Sequence, residues 1–379
     1  MTQRIRVLQF VSDLSKNGGA THALMNYFEE FYKEVEFDFL FFNDYNNESN
    51  SGFDYAEEIR KLGGTVYRIA SPLDFYKFKR DWKQFCKSNY GRFDLLENNL
   101  PFLGVFFQNA KKELGVKKII THSHVTQFGD SFHSAIRNEL FFDVTGKKLG
   151  DVLFSCTKEA GESIFKKQIK HKKWYIVNNA FDISNFKFDP QDRKKVREKM
   201  NWTGKYVIGN VGRFSPQKNH ILIIKTFAKF LSMYDSNAIL VLVGNGKLKS
   251  KIEKEINKLD IQDNVIILEN RNDVNKLLMG FDTFFFPSNF EGLGLALVEA
   301  QISGLPCLVS NTVPPEADMS NYKVLNLKET PKKWALALKE LSCCSRHLDG
   351  IHLAEDAGFD TKIESKKLER IYRSLLIND

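Results

Sequence analysis

The sequence predicts an α/β fold made of two doubly wound, Rossmann-like units with parallel sheets. Three observations lead there. Short runs that are apolar on both faces recur along the whole chain, amphipathic stretches separate them, and the alternation stops once near the middle and then restarts. A strand that is apolar on both faces must be covered on both, and helices lying between successive strands give that cover in a parallel sheet. No repeat of fixed period runs through the chain, which excludes a solenoid.

The first group of strand-like runs is 5–11, 37–42, 66–69, 118–121, 152–156 and 175–177. The second is 206–211, 239–243, 265–268, 283–286 and 306–310. Between them the helical spacing of apolar residues predicts helices over 20–32, 75–89, 220–234 and 247–259, and a closing helix over 361–377. The pause falls in 179–205, which is polar, free of strand-like runs and carries Pro190. The expected domains are therefore residues 1–180 and residues 200–360, with the closing helix after them. A ligand cleft is expected at the carboxyl ends of the strands, where doubly wound sheets bind their ligands.

A length of 379 residues suits two domains, and 42% apolar with 27% charged residues is an ordinary globular balance. The 33 phenylalanines predict aromatic cores. Five cysteines without C-x-x-C spacing argue against a disulfide framework or zinc knuckle and fit a reducing cytosol. The amino-terminal MTQRIRVLQF enters a strand without a targeting leader, and no run approaches the ~18 apolar residues of a membrane span. A net charge of +8 favours anionic partners.

Four loops follow strands and carry chemistry. Gly18 and Gly19, after the first strand, let backbone amides approach an anion, although a Gly-Gly pair also fits an ordinary turn. In Gly212-Arg213-Phe214-Ser215-Pro216-Gln217-Lys218-Asn219, a guanidinium and an ammonium at a strand end suit a diphosphate. Gly244-Asn245-Gly246-Lys247 lacks the third glycine of a dinucleotide fingerprint, which disfavours a nicotinamide or flavin enzyme. The fourth loop is the most informative. After Phe286-Pro287-Ser288 it presents Glu291, Gly292, Leu293, Gly294 and Leu295, and a helix then carries Glu299. Amides at the start of that helix can hold a polar ligand, and the two carboxylates suit sugar or ribose hydroxyls.

In the first half, His122-Ser123-His124 follows the run 118–121, where a histidine can bond a substrate or polarise a leaving group. No third ligand stands at metal spacing, and the absence of D-x-D speaks against a divalent ion held on a diphosphate, so no metal or other cofactor is expected. The other histidines read as surface or packing residues. Five lysines lie in 166–173, and the stretch 75–89 puts Phe75, Phe78, Trp82 and Phe85 on one stripe with lysines off it. They fit a solvated charge run and a core-facing helix respectively, or contact with an anionic bilayer.

Together these residues resemble the retaining, nucleotide-sugar-dependent glycosyltransferases of family GT4 (group 1), which have the GT-B fold. The resemblance rests on Gly18-Gly19, Thr121-His122-Ser123-His124, Asn178-Asn179-Ala180-Phe181-Asp182, the loop from Arg213 to Lys218, and an E-x7-E pair in Glu291 and Glu299. The stretch Ser155-Cys156-Thr157-Lys158-Glu159-Ala160-Gly161-Glu162 further resembles the exopolysaccharide and capsule subgroup. There are two departures. Asn179 stands where the family usually has glycine, and the run Asp94-Leu95-Leu96-Glu97-Asn98-Asn99 stands where the subgroup often carries histidine.

The resemblance implies two Rossmann-like domains facing across a cleft, a terminal helix in 361–379 that returns to the first of them, and transfer of a hexose-type sugar from a nucleoside-diphosphate sugar, with UDP the expected nucleotide. It implies a polysaccharide or lipid-linked oligosaccharide acceptor, and a cytoplasmic protein that visits the inner face of the membrane. It implies Arg213 and Lys218 on the leaving phosphate, and Glu291 with the amides of Gly292, Leu293, Gly294 and Leu295 on the donor sugar. Glu299 would take the ribose, His122 would sit near the reacting sugar, and Gly18, Gly19 and Gly244 would border the donor. The competing readings are a nucleotide-sugar epimerase and a non-catalytic nucleotide-sugar binder on the same fold. No stacking-aromatic and basic module supports nucleic-acid binding.

Overall fold

The chain divides into two units, Met1–Phe181 with Gly358–Asp379, and Asp182–Ala357. The structure, a computed structural model, describes residues 4–16, 19–42, 54–125, 128, 132–319 and 322–377.

The first unit alternates β1 (Ile5–Phe10), α1 (Gly19–Phe31), β2 (Val35–Phe41), α2 (Ala56–Lys61), β3 (Val66–Arg68), α3 (Phe75–Ser88) and β4 (Leu95–Asn98). It continues with α4 (Ala110–Leu114), β5 (Lys118–Ser123), α5 (Phe132–Val144), β6 (Val152–Ser155), α6 (Lys158–Phe165) and β7 (Lys173–Ile176). The strands form one sheet in the order β3-β2-β1-β4-β5-β6-β7, and every ladder is parallel.

The second unit opens with α7 (Pro190–Lys199) and runs through β8 (Val207–Val211), α8 (His220–Met233), β9 (Ile239–Val243), α9 (Lys249–Lys258) and β10 (Val265–Leu268). Then come α10 (Val274–Gly280), β11 (Thr283–Phe286), α11 (Leu295–Ile302), β12 (Cys307–Ser310), β13 (Tyr322–Leu325), α12 (Pro331–Leu341) and α13 (Gly350–Asp356). Its sheet is parallel in the order β10-β9-β8-β11-β12-β13. The last helix, α14 (Thr361–Ile377), lies in the first unit and packs on α1.

Both sheets reverse their winding once, between β1 and β4 in the first unit and between β8 and β11 in the second. Loops leaving such neighbouring strands diverge to opposite faces and leave a crevice at the carboxyl ends. The sequence sets helix starts by familiar means. Asp74, Thr157, Asp189 and Thr330 accept from amides of the first turns of α3, α6, α7 and α12, and Pro190 and Pro331 open two of these helices.

Two strands lie outside the apolar runs picked out by sequence. β4 carries Glu97 and Asn98, yet all four of its residues are buried in the middle of the sheet. β13 is a short, half-exposed edge strand. The polar stretch 179–205 is also not a free linker. Its α7 is held to the second unit by Arg193 and Arg197, which bond the Asp282 carboxylate and carbonyls of Gly280 and Phe281. The second unit therefore starts at Asp182 rather than near residue 200, because these part-buried guanidinium bonds fix α7 beside α10.

The first core is aromatic. Phe37 stacks on Phe28 with centroids 5.4 Å apart and meets Phe31 and Tyr372 edge-on at 5.3 and 6.2 Å. Phe28, Phe37 and Tyr372 are fully buried. Replacing Phe37 with Ala should lower the unfolding free energy by about 3–5 kcal/mol through lost burial and the cavity left behind. Urea unfolding followed by circular dichroism checks this.

Candidate active site

In the second unit the loops after β8 and β11 flank the switch point and are laced together. The Asn289 amide donates to the Gln217 carbonyl at 2.7 Å, and Asn289 Nδ2 donates to the Pro216 carbonyl at 2.6 Å. Gln217 Nε2 donates to the Phe290 carbonyl and to Glu291 Oε2, each at 3.2 Å. At the centre Lys218 Nζ donates to Glu291 Oε1 at 2.7 Å, and the ammonium lies 4.5 Å from the centre of the Phe286 ring. Both side chains are sheltered, with 13% of Lys218 and 4% of Glu291 exposed. An ammonium has three protons, so Lys218 holds Glu291 and keeps donors for a further acceptor.

The remaining predicted residues of this unit sit around that pair. Arg213 is exposed just after β8, while Glu291 and Leu293 are buried. Gly244 packs so tightly on the preceding loop that a Cβ there would lie 2.1 Å from the Gly212 carbonyl oxygen. Gly294 adopts φ 85°, a left-handed conformation that favours glycine, and caps α11. The helix thus begins at Leu295, and its first amides have no carbonyl partner within the helix. Glu299 lies one turn further on. It is partly exposed, but the protein packed around its carboxyl pushes the pKa up to about 8, and nearby Lys218 pulls the other way. Its carboxyl has no hydrogen-bond partner among the described residues. Burial, with a smaller push from Lys218, lowers His220 to about 4, which suits its packing edge-on against Phe214.

In the first unit the predicted histidine lies inside β5 rather than beyond it, and is buried. Its partner was not among the residues picked out for the site. His122 Nδ1 lies 2.7 Å from Glu97 Oε1, and Glu97 Oε2 accepts from the Tyr372 hydroxyl at 2.6 Å and Gln9 Nε2 at 3.2 Å. Asn99 Nδ2 donates to Gln9 Oε1 at 2.9 Å, and its Oδ1 accepts from His124 Nε2 at 2.8 Å. The two imidazole rings are 3.9 Å apart. Burial above all, with the Glu97 charge, pushes the Tyr372 hydroxyl well up, so it stays a donor. Burial drives His124 well below its usual pKa, with His122 adding to the shift.

A carboxylate accepts, so His122 carries a proton on Nδ1. Its Nε2 has no partner among the described residues. The sequence signal for Glu97 was the departure in the run 94–99. Gly19 is exposed and opens α1 after β1, and Gly18 lies outside the described residues. The structure therefore brings Lys218, Glu291 and Phe286 together in one unit, and His122 with Glu97, Gln9 and Tyr372 in the other.

Parallel doubly wound units with site residues at their switch points define a GT-B glycosyltransferase, and solved structures bear out that fold. The Anabaena protein Alr3699/HepE, solved in complex with UDP and glucose, superposes with a TM-score of 0.77 at 16% identity, covering 98% of this chain and 100% of that one. The chain belongs to the group 1 glycosyltransferases: residues 192–342 match the family described as "Glycosyl transferases group 1". It is 30% identical to "Putative glycosyltransferase EpsF" of Bacillus subtilis (strain 168), over 90% of this chain and 88% of that protein. It is 22% identical to "Capsular polysaccharide biosynthesis glycosyltransferase CapH" of Staphylococcus aureus, over 98% of this chain and 99% of that one. An Escherichia coli relative, "UDP-Gal:alpha-D-GlcNAc-diphosphoundecaprenol alpha-1,3-galactosyltransferase", is 27% identical over 58% of each chain. The protein is a glycosyltransferase of polysaccharide biosynthesis.

Removing Glu97 tests the buried network. Glu97→Leu leaves three buried donors without an acceptor and should cost about 3 kcal/mol or more, whereas Glu97→Gln keeps an acceptor and should cost about 1–2 kcal/mol. Equal losses in thermal unfolding would contradict the network.

Proposed function

We propose that this glycosyltransferase is retaining, takes a hexose-type sugar from a UDP-sugar, and places it on a sugar hydroxyl of a lipid-linked oligosaccharide at the inner face of the membrane. The observation that carries this reading is the sheltered Lys218–Glu291 pair at the β8/β11 switch point, beside Arg213 and the start of α11. Two names lend support. The Escherichia coli relative is named for a UDP-galactose donor and a diphosphoundecaprenol-linked acceptor, and HepE was solved with UDP and glucose.

Cleaving the anomeric C–O bond leaves negative charge on the β-phosphate of the nucleotide. Arg213 and Lys218 stabilise that charge as it grows. Glu291, held in place by Lys218 and Gln217, positions the donor sugar with the amides of Gly292 to Leu295, while Gly244 borders the donor. In the first unit, His122 Nε2 is the candidate contact for a sugar hydroxyl. No side chain is assigned as general base, because in front-face transfer the leaving phosphate takes the acceptor proton. No metal is needed in this scheme.

Glu299 accepts from the ribose hydroxyls, and a carboxylate does this more strongly than a carboxylic acid. With a pKa of about 8 in the free protein, Glu299 is mostly protonated at neutral pH. Binding that favours the ionised form must lower this pKa and expel a proton. UDP affinity relative to Glu299→Gln should therefore rise from about pH 6 to pH 9 and then level off. Calorimetry at pH 7 in buffers of different ionisation enthalpy should show proton release that the variant lacks.

The function is tested by incubating the protein with a panel of nucleotide sugars and a lipid-linked acceptor, with EDTA present throughout. Transfer with retained anomeric configuration is expected. Arg213→Ala should reduce turnover by on the order of 10²–10³ with a smaller loss of donor binding. Epimerised donor without transfer would point to the epimerase reading, and activity that needs Mg²⁺ or Mn²⁺ would overturn the account of the diphosphate.

For the membrane, no helix among the described residues is long and apolar enough to cross it. The lysine run 166–173 is a limited contact, because Lys166 pairs with Glu139 at 2.9 Å and Lys172 donates to the Gly150 carbonyl at 2.6 Å.

A further inference from the structure

The apolar stripe expected along α3 does not all face inward. Phe78, Trp82 and Phe85 are buried, but at the amino-terminal end Leu73 is 83%, Tyr76 85% and Phe75 49% exposed. These side chains continue into a larger surface. The Phe75 ring is 5.9 Å from Tyr76 and 6.0 Å from Phe106, and Phe106 stacks on Phe141 of α5 at 6.2 Å. On α5, Ile136, Leu140 and Val144 recur every fourth residue and are 49%, 61% and 77% exposed. Residues at that spacing share a helix face, and Phe141 lies at its edge. Solvent gains nothing from such a face, and a contiguous apolar patch of this kind marks an interaction surface.

The charge around it selects the partner. The carboxylates of α3, its cap and α5 already have cations: Asp74 with Lys77, Asp81 with Arg80, Asp143 with Lys147, and Glu139 with Lys166. Lys79, Lys83, Lys87, Arg137 and Lys148 are exposed and have no carboxylate partner among the described residues. Aromatic and aliphatic tips on helices that also carry uncompensated cations, with the Lys79 ammonium 6.0 Å from the Phe75 ring, match the boundary of an anionic bilayer, where the rings and aliphatic groups enter the acyl edge and the cations meet the headgroups. A second copy of the same face would set like charges against each other.

We propose that the face built from the start of α3, Phe106 and the outer side of α5 docks this glycosyltransferase on an anionic lipid surface, with Leu73, Tyr76, Leu140 and Val144 inserting. The proposal rests on the membrane-linked acceptor suggested above and replaces the lysine run 166–173 as the main contact. It differs from a purely electrostatic contact in one measurable way. Salt screens the lysines but not the inserted apolar groups, so part of the binding survives high salt.

The test is co-sedimentation of the full chain with phosphatidylcholine vesicles, with or without phosphatidylglycerol, at low and high salt. Three proteins are compared: the parent, a variant with Leu73→Ser, Tyr76→Ser, Leu140→Ser and Val144→Ser, and a variant with Lys167→Ala, Lys170→Ala and Lys173→Ala. The altered apolar positions are exposed, and unchanged thermal unfolding confirms the fold. The parent should bind phosphatidylglycerol vesicles with a salt-resistant fraction. The serine variant should lose at least about tenfold in partitioning at both salt levels, and the alanine variant less than about twofold. Transfer to a water-soluble acceptor should be the same in all three, which separates failure of docking from failure of the glycosyltransferase reading. The proposal is overturned if the parent does not bind, if the serine variant binds like the parent, or if the alanine variant is the one that fails. It is equally overturned if analytical ultracentrifugation shows a dimer that the serine substitutions dissolve, since the face would then be covered by a second copy.

Discussion

A carboxylate buried in the middle of a parallel sheet is tolerated only if donors surround it, and the first unit is organised around meeting that demand for Glu97. The donors come from separate stretches of chain: Gln9 from β1, His122 from β5 and Tyr372 from α14. One acidic side chain thus ties together strands on both sides of the switch point and the returning helix. It also keeps a proton on Nδ1 of His122. The second unit meets a similar demand with a pair of opposite charges, Lys218 and Glu291, tied to the loops that carry them.

Much of the fold was legible because parallel strands with covered faces leave apolar runs. The runs at 206–211, 239–243 and 283–286 stand at β8, β9 and β11, and the helix over 361–377 stands at α14. β4 was missed for a physical reason. Leu95 and Leu96 are followed by Glu97 and Asn98, so the segment reads as half polar although every residue is buried. Burial there is bought with hydrogen bonds, and hydrogen-bond partners distant in sequence leave no periodic signal. The same holds for α7, whose place is set by Arg193 and Arg197 reaching Asp282.

In the candidate site, residue types and strand-end positions were readable, but mutual contacts were not. Arg213 and Lys218 were grouped as two cations for a diphosphate, and Glu291 was set apart for a sugar. The structure adds a direct bond between Lys218 and Glu291, and it places Arg213 at the surface. Similarly, Glu299 read as a plain carboxylate, while its surroundings raise its pKa to about 8. Such effects depend on what packs around a group, which a linear string does not state.

The placement of α14 has a consequence for how the polypeptide is made. Its Leu368, Tyr372 and Leu375 belong to the first core, and the bond from Tyr372 to Glu97 spans 275 positions. On the ribosome the first unit therefore emerges without its closing helix and must wait while Asp182–Ala357 is synthesised. At usual elongation rates that wait is on the order of ten seconds or more, far longer than a domain of this size needs to collapse. The unit encoded later can complete its core first, and the nascent first unit spends that interval with an open aromatic groove, a natural client for chaperones that shield exposed apolar chain.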